Sequence, residues 1–146
     1  MKKIMYPLIC ASLLYPTPYA LARDHVALMK DVTGRVEILR EGKTLSAASN
    51  TTLQVDDRVI ADPKATAAIV FKDGTLLTLG GSADIKIRDY VFEPKADQYA
   101  FSMYMAKGSA IYESGKIGKL APDSVQVMTP TATVGVRGTR FLIEAD

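Results

Sequence analysis

The chain has 146 residues, with 18 Lys and Arg against 16 Asp and Glu, one histidine and one cysteine. Residues 1–22 hold two of the lysines and no acid, so the remainder is formally neutral, and its charge gives no reason to expect nucleic acid, acidic substrates or anionic lipid as partners. Cys10 lies in the same segment, which leaves the rest without a thiol for a disulfide, a nucleophile, cysteine-ligated zinc or an iron–sulfur cluster.

Lys2 and Lys3 precede the apolar stretch from Ile4 to Tyr15, and Tyr19-Ala20-Leu21-Ala22 follows with small residues where a signal peptidase needs them. This pattern predicts a signal peptide over residues 1–22, cleaved after Ala22, and a product in the periplasm or secreted. Pro7, Pro16 and Pro18 leave the apolar run too short and broken to cross about 30 Å of hydrocarbon. Past residue 22 no apolar segment is long enough to span a bilayer, so no integral membrane segment is expected after cleavage.

Residues 23–146 read as one all-β domain of short, mainly antiparallel strands in a sandwich or roll, with turn residues about every eight to twelve positions. Gly34 to Arg40 alternates polar and apolar, which puts Val36 and Ile38 on one face of a half-buried strand before the turn at Glu41-Gly42-Lys43. Segment 44–52 is predicted to be a loop. Asp73-Gly74 between Ala67–Phe71 and Thr75–Leu79 is a strong hairpin signal. Gly80-Gly81 then ends that strand, and Ala83 to Ile87 is predicted to add a third strand to a meander. Segment 93–98 is a second expected loop. Tyr99 to Met105 alternates as a strand, with a turn predicted at Lys107-Gly108 and a return along Ser109 to Tyr112. A last unit runs through Ser124–Met128, breaks at Thr129-Pro130 and resumes through Thr133–Val136 to Phe141–Ile143, with Pro130 marking an edge, bend or crossing. The recurring strand-turn-strand unit makes a β-solenoid the alternative architecture.

Chemistry-bearing residues are sparse. His25, the single histidine, sits close behind the predicted cleavage point, so a multi-histidine metal site within one chain is excluded. Asp56, Asp57, Asp62, Asp73, Asp84, Asp89, Glu93 and Glu113 are available as paired carboxylates for glycan hydrolysis. However, Asp56-Asp57, Asp62-Pro63 and Asp73-Gly74 read as turn residues whose side chains accept backbone hydrogen bonds. No calcium-binding loop is present, and Gly80-Gly81 and Gly135-Val136-Arg137-Gly138 lack the lysine and helix of a phosphate cradle. No cofactor is therefore expected. Among the aromatics from Tyr90 to Tyr112, Tyr99 and Phe101 share a strand face with two methionines, whereas Tyr104 points the other way and is the candidate partner contact.

Three stretches, "VTGRVEILREGKTL" at 32–45, "LQVDDRVIADPKATAAIVFKDGT" at 53–75 and "TPTATVGVRGTRFLI" at 129–143, resemble the FecR domain. The resemblance implies a β-rich extracytoplasmic sensor module, which in its best-known members relays the state of an outer-membrane transporter to an inner-membrane anti-sigma regulator. Those regulators place an anti-sigma domain and a transmembrane helix ahead of the module. Here a signal peptide stands directly before it, so a stand-alone member is expected.

Two motifs carry the resemblance: the first is Asp73-Gly74-Thr75, with Asp73 and Gly74, and the second is the stretch 129–143, with Gly135, Arg137, Gly138 and Thr139. Gly135 and Gly138 suit close backbone approach or positive φ, and Arg137 brings five donors. Their expected role is structural, a lock on the fold, with a contact from Arg137 to an external ligand as the alternative. The expected function is a non-catalytic binding or sensory module for an envelope protein or polymer. A self-associating structural component is the alternative, and a glycan-acting enzyme the more distant rival.

Overall fold

A computed structural model describes residues 24–146, so the predicted signal peptide lies outside the described residues. Alternation of apolar and polar side chains governs most strands, whose apolar sets face one shared core, whereas β3 and β11 are exposed throughout. The strands are β1 (Ala27–Thr33), β2 (Val36–Arg40), β3 (Lys43–Ser46), β4 (Thr52–Leu53), β5 (Arg58–Ala61), β6 (Thr66–Phe71), β7 (Leu76–Leu79), β8 (Asp84–Glu93), β9 (Gln98–Glu113), β10 (Val125–Met128), β11 (Thr133–Gly135) and β12 (Arg140–Ala145). Among the described residues one α-helix, α1 (Lys116–Leu120), follows β9, and short 3₁₀ turns stand at Pro94–Ala96 and Pro122–Ser124.

The strands run in the order β3-β2-β5-β8-β9-β7-β6-β1-β4, a sheet that curls into a half-barrel. β12 pairs with β9, and β10 pairs with β9 and β11. All pairings are antiparallel except β10 with β9. The all-β, mainly antiparallel expectation therefore holds, and the alternative of stacked solenoid coils does not describe this topology.

The sixteen-residue β9 is shared by two sheets. Residues 98–107 pair with β8, while 110–113 pair with β7 on one side and 108–113 with β12 on the other. Phe101, Met103 and Met105 are buried in the first part, but Ala110 and Tyr112 are buried in the second. The inward face thus passes from odd to even residues. The switch sits at Gly108, whose φ is +93°, and a bulge at Ala106 accompanies it, since Asp84 pairs with Lys107 and Ile85 with Met105.

Several expectations are corrected here. Lys107-Gly108 does not reverse the chain, because glycine serves a bend inside one strand that has partners on both sides of that bend. β8 does not complete a meander with β7: it pairs with β5 and β9, and β7 takes the second half of β9 as its neighbour. The expected loop at 44–52 contains β3 and reaches β4, as the two-residue turn Glu41-Gly42 folds β3 back on β2. The β6–β7 hairpin and the half-buried β2, with Val36 and Ile38 inward, are as predicted.

A Cβ on Gly108 would lie 2.5 Å from Ala83 Cα and 2.6 Å from Ala83 N, both backbone atoms with no freedom to yield. Gly108→Ala is expected to lower stability by about 3 kcal/mol or more through clash and left-handed strain together. Gly135→Ala, where a Cβ meets nothing within 4 Å, is the matched control and should change stability by under about 1 kcal/mol. Urea denaturation of both variants measures the difference.

Candidate functional site

The first motif forms the β6–β7 turn, and its aspartate is almost wholly buried at 2% exposure. Asp73 Oδ1 accepts hydrogen bonds from Thr75 N–H (3.2 Å) and from the Tyr90 hydroxyl (2.9 Å). Oδ2 accepts from the Thr75 hydroxyl (2.7 Å) and from Ile117 N–H in the first turn of α1 (3.1 Å). A carboxylate has about four acceptor positions, and all four are filled from inside the protein. Asp73 N–H donates in turn to Tyr90 Oη at 2.9 Å, and Asp73 C=O accepts from Lys116 N–H at 2.9 Å. Gly74 takes the positive φ of the turn, at +88°.

This turn is clasped by the segment that leaves β9. Gly115 N–H donates to Thr75 Oγ1, and a Cβ on Gly115 would come within 2.3 Å of Thr75 N. Only glycine lets the two backbones approach so closely. Burial pushes the Tyr90 phenol well above its ordinary pKa, and the charge of Asp73 adds to the effect. Burial also raises that of Tyr112, whose hydroxyl sits beside those of Thr75 and Ser114 without meeting either in hydrogen-bond geometry.

The second motif is built differently. Thr129 and Ala132 close the β10–β11 turn, with Thr129 N–H donating to Ala132 C=O and Ala132 N–H to Thr129 Oγ1. Val136 is buried, but Gly135, Arg137, Gly138 and Thr139 are exposed. Gly135 and Gly138 have neither a positive φ nor a neighbour within 4 Å of a Cβ position, so the close approach expected for them is not found. The Arg137 side chain is 82% exposed and meets Asp123, itself exposed, at 3.3 Å. What holds this segment is backbone: Ser114 N–H donates to Thr139 C=O (2.8 Å) and Ser114 Oγ to Gly138 C=O (2.7 Å). The two motifs therefore converge on Ser114–Ile117, one from each side.

Other candidate residues are dispersed. Tyr104 is half-buried on an outward face, opposite Lys86 on β8 and Met128 on β10. Asp57, read as a turn residue, is 1% exposed; it is gripped by Arg40 through Nε (2.8 Å) and Nη2 (2.7 Å) and accepts from Gln54 N–H. Asp84 pairs with Arg58 and Glu113 with Arg140. His25 is exposed and borders a shallow hollow with Lys72, Tyr90 and Glu93. Among the described residues, no group of three or more His, Cys, Asp or Glu is placed to hold a metal ion. Sequence reasoning missed Tyr90, Ser114, Gly115 and Ile117, for which the one available signal was the Ser-Gly pair closing an apolar strand.

Residues 57–146, more than half of the chain, match the family model described as FecR protein. The chain belongs to the FecR family. Both motifs fall within the matched region, whereas β1 to β4, including the stretch at 32–45, lie ahead of it. Searches of curated proteins and of solved structures return no match. The FecR family is one of sensory and regulatory modules, generally non-enzymatic and typically associated with the cell envelope. No helix among the described residues is long and apolar enough to cross a membrane.

Asp73→Asn replaces a carboxylate oxygen with an amide donor that faces other donors, so it is expected to cost about 2–3 kcal/mol in chemical denaturation. A tyrosine whose pKa is raised in the folded state contributes stability below its unfolded pKa and loses it as pH climbs. The melting temperature should therefore fall above about pH 10. Tyr90→Phe should start lower at neutral pH and fall less steeply through the same window.

Proposed function

We propose that this FecR-family chain is an exported, non-catalytic binding or sensory module of the cell envelope, made with the leader 1–22 and recognising an envelope protein. The observation that supports this most is the placement of the second motif. Its backbone is tied to Ser114 and Val136 and Ile143 anchor it in the core, while Val134, Arg137 and Arg140 are exposed around a shallow hollow that Phe141 also lines. A guanidinium this exposed does little for the core, and beyond its one exposed contact to Asp123 its remaining donors can take carboxylates or main-chain carbonyls of a partner. The first motif, by contrast, has spent its polar groups internally. The carboxylates that a glycan-acting enzyme would need are engaged where they are buried: Asp57 and Asp73 each accept hydrogen bonds from several groups.

Crosslinking in the intact envelope followed by mass spectrometry tests the proposal. Arg137→Ala should keep the melting temperature within about 2 °C, as expected for an exposed ion pair, yet reduce recovery of the principal crosslinked protein at least about tenfold. Undiminished recovery would remove Arg137 from the contact surface. Hydrolysis of peptidoglycan by the purified protein, lost in Glu113→Gln, would overturn the non-catalytic reading.

A further inference from the structure

Among the described residues, the strands at the ends of the curled sheet leave edges of unequal length unpaired. β4 has two residues, β11 three and β3 four, the last beginning with Lys43, a charge of the kind that blunts an edge. β12 has six residues, Arg-Phe-Leu-Ile-Glu-Ala, and no proline, lysine or register shift.

Its hydrogen-bonding phase is set by two observations. Ser114 N–H donates to Thr139 C=O, and Gly80 N–H donates to Ser109 C=O. Alternation along antiparallel ladders then turns residues 110, 112 and 114 of the chain toward β12, where they face 143, 141 and 139. Arg140, Leu142 and Glu144 consequently aim their N–H and C=O groups away from β9, into solvent. All three side chains are exposed, Leu142 at 61%.

We infer that β12 pairs antiparallel with β12 of a second copy of this chain, about a two-fold axis through Leu142. In this register Arg140 lies opposite Glu144 of the second copy, Leu142 opposite its own equivalent, and Glu144 opposite the second Arg140. The strand is thus complementary to itself in charge, and opposite charges across an antiparallel pair attract while like charges repel. Every outward backbone group of the three residues gains a partner. On the outer face, the row Ala68, Thr78, Ile111 and Leu142 runs across β6, β7, β9 and β12, and dimerisation continues it into the second copy through the Leu142 pair. On the inner face, Phe141, half-buried and stacked on Tyr112 at 4.8 Å between ring centroids, gains Ile143 of the second copy as its opposite. The contact is isologous, so it closes as a dimer instead of growing into a filament. It shares Arg140 and Phe141 with the hollow beside Arg137, but Arg137 itself lies outside the strand, and Arg137→Ala should leave the pairing intact.

Light scattering on the full chain as cells produce it, from about 1 μM to about 1 mM, should show a monomer–dimer equilibrium. Leu142→Pro removes an N–H that bonds nothing inside the protomer, so it should give a monomer with an unchanged circular dichroism spectrum. Glu144→Arg should weaken the dimer by about tenfold or more, and Arg140→Glu combined with Glu144→Arg should restore it. A readout independent of stability is Leu142→Cys. Residues facing each other in a hydrogen-bonded pair lie about 5.5 Å apart at Cα, within disulfide range, so mild oxidation should link two copies. A monomer at every concentration, or a dimer that survives Leu142→Pro, overturns the inference. Failure of the charge exchange to restore the dimer overturns the register, and a Leu142→Cys disulfide to another protein assigns the edge to a different occupant.

Discussion

One glycine holds the architecture together. Gly108 lets β9 turn its inward face from odd to even residues without leaving the ladder, and that single change of phase allows one strand to serve two sheets. Without the change, either Met103 and Met105 or Ala110 and Tyr112 would point to solvent, since the side-chain period of a strand is two. The backbone of Ala83 sits against the bend, so the start of β8 depends on the absence of a side chain at 108. The core that β6, β7 and β12 share with β2, β5 and β8 follows from this arrangement.

Around that frame, the polar groups divide into those that are used up and those that are not. Asp73 and Asp57 are buried acids whose acceptor capacity goes into joining a turn to its surroundings, Asp73 to β8 and α1 and Asp57 to β2. Removing the groups around either acid would leave a buried carboxylate unsatisfied, which is strongly destabilising. The motif at 129–143 is held by its main chain and by Val136 and Ile143 in the core, which leaves the exposed side chains between them on a fixed mount. A rigid mount with free side chains is what a recognition surface requires.

Much of this was legible in the sequence, and the failures have a common cause. The β6–β7 hairpin could be read from Asp73-Gly74 because a tight turn is a local event, and β2 from the alternation of Val36 and Ile38. Lys107-Gly108 has the same local signature as a turn. Its role as a bend is decided by β7, β8 and β12, whose positions no local pattern reveals. β8 was placed beside β7 because sequence neighbours usually pair, whereas β9 occupies that place. The burial of Asp57 and Asp73 was equally hidden: a turn aspartate and a buried acceptor look alike until Arg40, Tyr90 and Ile117 arrive from distant parts of the chain. Gly135 and Gly138 show the converse, glycines that suggested tight packing and have open space around them.

The position of β9 also orders events during synthesis. The hairpins β2–β3 and β6–β7 close over short distances and can form as soon as they emerge, but β7 and β8 each have β9 as a neighbour and have no contact ladder with one another. Until residue 113 has been made, the nascent chain is two half-sheets with their longest edges bare, and the closing step is non-local and correspondingly slow. In that interval the edges of β7 and β8 are open to any other extended chain, so the period of greatest vulnerability to misassembly ends only with the arrival of the strand that joins them.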